Sequence, residues 1–64
     1  MDKETILQII GNDFNTVIKL KTKSDGYFYG GQIHNLTETT ITIEDYKDGF
    51  MALDLEDVDR VWRQ

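Results

Sequence analysis

The stretch Thr16-Val17-Ile18-Lys19-Leu20-Lys21-Thr22-Lys23, then Ser24-Asp25-Gly26, then Tyr27-Phe28-Tyr29-Gly30-Gly31-Gln32-Ile33-His34, decides the fold. Its first part has period two. Ile18, Leu20 and Thr22 share one face, and the lysines with Val17 take the other. That alternation is the mark of an antiparallel strand with one buried face. Ser24-Asp25-Gly26 reads as a hairpin turn, because Asp-Gly supplies the left-handed positions such turns need. The second strand then runs from Tyr27 to about His34, with Tyr27, Tyr29, Gly31 and Ile33 inward. Gly30-Gly31 inside a strand leaves no side chain to pack, which fits a bulge or the sharp bend at a barrel corner.

Downstream the same logic repeats. Asn35-Leu36-Thr37-Glu38 is a short connection with Leu36 pointing into the core. Thr39 to Glu44 alternates with Ile41 and Ile43 inward. Asp45-Tyr46-Lys47-Asp48-Gly49 is a second hairpin loop, and Phe50 to Leu55 a fourth strand with Met51, Leu53 and Leu55 on one face. Glu56-Asp57-Val58 suits a single 3₁₀ turn that buries Val58. Asp59-Arg60-Val61-Trp62 is a final strand, and Arg63-Gln64 is expected to fray.

Upstream, Asp2 to Ile10 has a different period. Asp2 is a plausible N-cap, Glu4 sits in the first turn where negative charge is favoured, and Gly11 can end a helix. Ile6, Ile9 and Ile10 share a helical face with Leu7 at its edge. Three β-branched residues leave a strand as the alternative. A helix this short does not survive alone in water, so its stripe must lie on something. Asn12-Asp13-Phe14-Asn15 reads as a loop, with Phe14 a plug at the barrel mouth rather than a ligand contact.

The expected fold is therefore mostly β. A short helix (about 2–10) precedes a small five-stranded antiparallel barrel (about 16–62), as one domain over 1–64. Closing into a barrel leaves few strand edges. A flat sheet with the helix on one face is the alternative.

The chain has 64 residues, a net charge of −5, and no Cys or Pro. A domain this size buries only about 60% of the surface its unfolded chain exposes. Without a disulfide or cysteine-held metal, self-association is the remaining staple. There is one histidine, so no site needs two His ligands, and no 18-residue apolar run spans a membrane. Met1-Asp2-Lys3-Glu4 has the wrong charge balance for a signal peptide. The N-x-T at Asn35-Leu36-Thr37 matches a glycosylation sequon but carries little without secretion. A cytoplasmic location is expected. Residues 1–32 balance four acids against four lysines, whereas residues 33–64 carry eight acids against Lys47, Arg60 and Arg63. All the net charge lies in the second half.

Val17-Ile18-Lys19-Leu20, Asp25-Gly26-Tyr27-Phe28-Tyr29, Gly31-Gln32-Ile33, Ile41-Thr42-Ile43 and Leu53 to Val61 together resemble an Sm-like barrel of the LSm or Hfq type. The resemblance covers about residues 16–62, and the N-terminal helix is similar too. It implies a strongly bent five-stranded SH3-like/Sm-like barrel capped by the helix, with Gly31 marking the bend and edge strands able to pair between subunits in a ring. The C-terminal half is similar to the YolD-like family of small bacterial proteins and to the antiterminator that binds the Rho factor, pointing to a small bacterial or phage protein. Where Sm-like RNA binders place their base-specific groups, this chain has Thr37-Glu38, Thr39 and Asp54-Leu55-Glu56.

The candidate site residues follow from these readings. His34 is the one histidine of the chain. As a general base it would need an orienting carboxylate, with Asp25, Glu38 and Glu44 the candidates, and its plain reading is a surface histidine. Asp54, Glu56, Asp57 and Asp59 lack the converging loop a calcium site needs. Asp57 is expected to accept backbone N–H groups in the turn before the last strand. No catalytic, cofactor or metal residues are assigned, and no enzyme activity is expected. Phe28, Tyr46, Phe50, Arg60, Trp62 and Arg63 are candidate interface residues, since aromatics and arginine are enriched at protein interfaces. The alternative packs Phe28 and Trp62 under the helix. Lys19, Lys21, Lys23 and His34 are the candidate nucleic-acid contacts.

The leading expectation is a non-enzymatic protein-binding or adaptor module that self-associates. The alternative is RNA or single-stranded nucleic-acid binding of the Sm-like type, disfavoured by charge: tight binding of U-rich or A-rich RNA at physiological salt is not expected. No small-molecule cofactor and no membrane partner is expected.

Overall fold

The computed structural model describes residues 1–11 and 14–64. Asn12 and Asp13, read as loop, lie outside the described residues. The order is α1 (Lys3–Ile10), β1 (Val17–Thr22), β2 (Phe28–Leu36), β3 (Thr40–Asp45), β4 (Gly49–Asp54), a 3₁₀ turn (Leu55–Asp57) and β5 (Val58–Arg63). Helix, not strand, forms at the N-terminus. The Asp2 carboxylate accepts from Thr5 N–H at 2.8 Å, and Gly11 at φ 71° closes the end. Ile6 and Ile10 are buried while Leu7 and Ile9 pack at the margin.

All five strands lie in one antiparallel sheet, in the order β4-β3-β2-β1-β5. Its core is Ile18, Leu20, Ile33, Leu36, Ile41, Ile43, Leu55, Val58 and Val61, covered by the two isoleucines of α1. The bend lies in β2. Its first half, Phe28 to Gln32, pairs with β1. Its second half, Gly31 to Leu36, pairs with β3. The halves overlap at Gly31 and Gln32, so one strand serves two directions. A methyl at Gly31 would lie 1.7 Å from the Glu44 carbonyl oxygen, so only glycine permits this crossing. A register irregularity follows between Ile33 and Asn35, placing the bulge at His34, after the glycine pair.

Among the described residues no ladder joins β4 to β5. The sheet does not close by hydrogen bonds, and among the described residues no strand pairs with the outer edge of β4 or β5, although the Met1 amine donates to the Val58 carbonyl of β5 at 3.3 Å. The inner face of β4 is only half covered, with Met51 and Leu53 partly buried against the core.

Several expectations need correction. Tyr27 is 65% exposed rather than inward. It precedes the first residue of β2, in the turn, where strand alternation does not hold. Phe14 is exposed and plugs nothing, because Ile6 and Ile10 provide the helical contribution to the core. Leu36 belongs to β2 rather than to a connection. Arg63 does not fray: it pairs with Ile18, and Gln64 N–H donates to Val17 at 3.1 Å.

Carboxylates fix the turns. Burial works to raise the Asp45 pKa, but N–H donors from Gly30, Lys47 and Asp48 outweigh it and hold the carboxyl below the usual range. Those three bonds measure 2.9, 2.9 and 3.0 Å. Asp25 is held low by the Thr22 hydroxyl and the Tyr27 N–H. Asp57 accepts from Ser24 N–H at 2.9 Å and from its hydroxyl at 2.8 Å. Its role is structural, as expected, but it serves the β1–β2 turn instead of the turn before β5.

Candidate functional site

The candidate residues divide between two outer surfaces of the sheet. The first belongs to β2, β1 and β5. Lys21 lies opposite Phe28 on one side and opposite Arg60 on the other. Lys19 lies opposite Gly30 and Trp62. Because the side-chain period of a strand is two, all these groups face outward together. The Lys19 and Lys21 ammoniums stand 5.9 and 5.8 Å from the Phe28 ring centre. The Arg60 guanidinium stands 5.7 Å from Trp62, and the Phe28 and Trp62 rings meet edge to face at 6.0 Å. Such cation–ring contacts are worth about 0.5–1 kcal/mol each when exposed.

Phe28 is 58% exposed, so it does not pack under α1. Trp62 is half-buried on the same outer surface. Tyr46 is exposed, and its ring lies over Gly30, with two ring carbons 3.6 and 3.7 Å from where a methyl would stand. Three of the expected interface residues, Phe28, Arg60 and Trp62, are thus gathered with Lys19 and Lys21. Lys23, expected in the strand, is exposed in the turn after β1, and Arg63 is exposed at the end of β5.

The second surface belongs to the end of β2, β3 and β4. His34 is exposed, contacts Glu44 at 3.1 Å, and meets the Phe50 ring edge to face at 4.7 Å. Of the carboxylates considered for His34, the structure brings Glu44 to it. Phe50 is 66% exposed and far from fully packed. Outward positions here pair across β3 and β4 as Glu44 with Phe50, Thr42 with Ala52 and Thr40 with Asp54.

The outward charges differ between the two halves of the sheet: Lys19, Lys21 and Arg60 stand on β1 and β5, with Asp59 exposed beside Arg60, whereas Glu44 and Asp54 stand on β3 and β4. Sequence reasoning treated the lysine stripe and the aromatics separately. The signal joining them is the β1–β5 pairing, between strands more than thirty positions apart, which local patterning does not report. No helix among the described residues is long and apolar enough to cross a membrane. Among the described residues no group of three or more His or acidic side chains is placed to hold a metal ion.

No family model matches the chain, and no curated protein or solved structure matches it either.

Proposed function

We propose that this chain is a small binding module of Sm-like type, without catalytic activity, that binds a protein partner and also copies of itself. One observation carries the reading. The two terminal strands each keep an outer edge that no strand pairs with among the described residues, and each lies beside a large aromatic, Phe50 on β4 and Trp62 on β5. Free edges offer unpaired N–H and C=O groups to another chain. Exposed aromatics supply the area that makes such a contact pay. A domain of this size also gains stability by mass action when copies associate. Within this reading the module works in the cytoplasm.

Static light scattering over a concentration series up to about 500 µM tests it. The expected mass is a multiple of the 7.5 kDa chain, falling back toward one chain in Phe50→Asp. A mass of 7.5 kDa throughout refutes self-association.

A further inference from the structure

We infer that the outer surface of β2, β1 and β5 docks an acidic segment of a protein partner, one bearing carboxylates beside an apolar or aromatic side chain. The inference deepens the binding-module reading and rests on it.

The first argument is charge. The chain carries −5 overall, yet among the described residues no carboxylate forms an ion pair with Lys19, Lys21 or Arg60. Lys3 pairs with Glu38, and Glu44 is hydrogen-bonded to His34. Lys21 and Arg60 also stand directly opposite each other on neighbouring strands. Like charges opposite one another destabilise a sheet. An acid-rich chain has ample carboxylates to relieve that repulsion, and it does not. A ligand that brings carboxylates would relieve it.

The second argument is the arrangement of the rings. Lys19 and Lys21 on β1 are two positions apart, about 7 Å, so an extended segment with acids at alternate positions matches their spacing. Phe28 and Trp62 lie between and beside these cations and offer apolar contact. The two rings meet edge to face at an interplanar angle of 76°, so they do not form a platform of parallel faces for successive stacked bases. Three cations neutralise about three phosphates, so counterion release adds little. The net negative charge opposes a long polyanion more than a short segment.

The test is fluorescence anisotropy at about 0.15 M salt with a labelled peptide Glu-Phe-Glu-Leu-Glu-Phe-Glu. A control peptide carries Lys at each Glu, and a U-rich twelve-nucleotide RNA is the second probe. The expected result is saturable binding of the acidic peptide alone. It weakens about tenfold or more in Lys19→Gln/Lys21→Gln, is retained in Lys19→Arg/Lys21→Arg, and is unchanged in Phe50→Asp. Thermal melts confirm that these surface variants fold. Tighter binding of the RNA, lost in the same glutamine variant, overturns the inference in favour of nucleic acid. Absence of peptide binding, or binding indifferent to the two lysines, overturns it outright. If light scattering still shows association in that case, the binding-module reading stands without it. If both fail, both are refuted.

Discussion

Replacing Gly31 by alanine should strongly destabilise the native state, and the structure sets the scale. The added methyl would stand 1.7 Å from the Glu44 carbonyl oxygen and 2.6 Å from its carbon. Ordinary contact begins near 3.4 Å, so β3 must retreat by well over an ångström at the point where Gly31 pairs with Asp45. Overpacking against yielding side chains costs about 1–3 kcal/mol. Here the obstacle is backbone, and ladder hydrogen bonds worth about 1 kcal/mol each go with it. The total is about 3–5 kcal/mol, against about 3–10 kcal/mol of stability for a chain of this length. At about 4–8 °C per kcal/mol, the midpoint falls by more than about 12 °C, and Gly31→Val falls further. Gly30→Ala is the control. Its methyl meets nothing nearer than 3.5 Å, so it should stay within about 1 kcal/mol of wild type. Thermal and urea melts followed by far-UV circular dichroism compare the two. A Gly31→Ala midpoint within a few degrees of wild type would refute the close crossing of β2 and β3.

Asp45→Ala leaves three backbone N–H groups without their acceptor, and urea melts should show a loss of about 2–3 kcal/mol. Asp2, Asp25 and Asp45 are all held below the usual carboxylate range when folded. Their contribution is complete above the unfolded value of about 3.9 and disappears as pH falls through the folded values. Melting points from pH 6 to pH 2 should therefore drop most steeply below about pH 4, and less so in Asp45→Ala. At the alkaline end, desolvation and then the Asp25 charge raise the Tyr29 pKa, so stability should decline as pH climbs past about 10. Asp57→Ala frees Ser24 from its carboxylate and should cost about 1 kcal/mol, with hydrogen exchange quickening first in the β1–β2 turn.

The fold was largely legible because its determinants are local. Asp2 and Gly11 mark the ends of α1, and the alternation around Ile18-Leu20 and Ile41-Ile43 identifies two buried strand faces. Gly31 announced the bend, since a side-chain-free position in a strand demands a close neighbour. The surface was less legible. Tyr27 followed the parity rule in sequence and broke it in space, because the ladder starts one residue later. The Asp45 cradle was invisible: nothing in Asp45-Tyr46-Lys47 says that its carboxylate reaches back to Gly30. The grouping of Lys19 and Lys21 with Arg60 and Trp62 needed the strand order, which depends on a long-range pairing that no local pattern encodes.

That pairing also shapes how the chain reaches its native state. β1 meets β2 across a short turn, but meets β5 only when Thr22 finds Val58 and Ile18 finds Arg63. The Met1 amine likewise donates to the Leu55 carbonyl, 54 positions away. The hairpins β1–β2 and β3–β4 can form from nearby residues alone, whereas the last pairing closes a loop that spans most of the chain. Loop closure of that kind is the slow step in small β proteins. During synthesis, β1 must wait with an open edge until β5 leaves the ribosome, and until that pairing forms the lysine-bearing strand is available to any other strand that reaches it first.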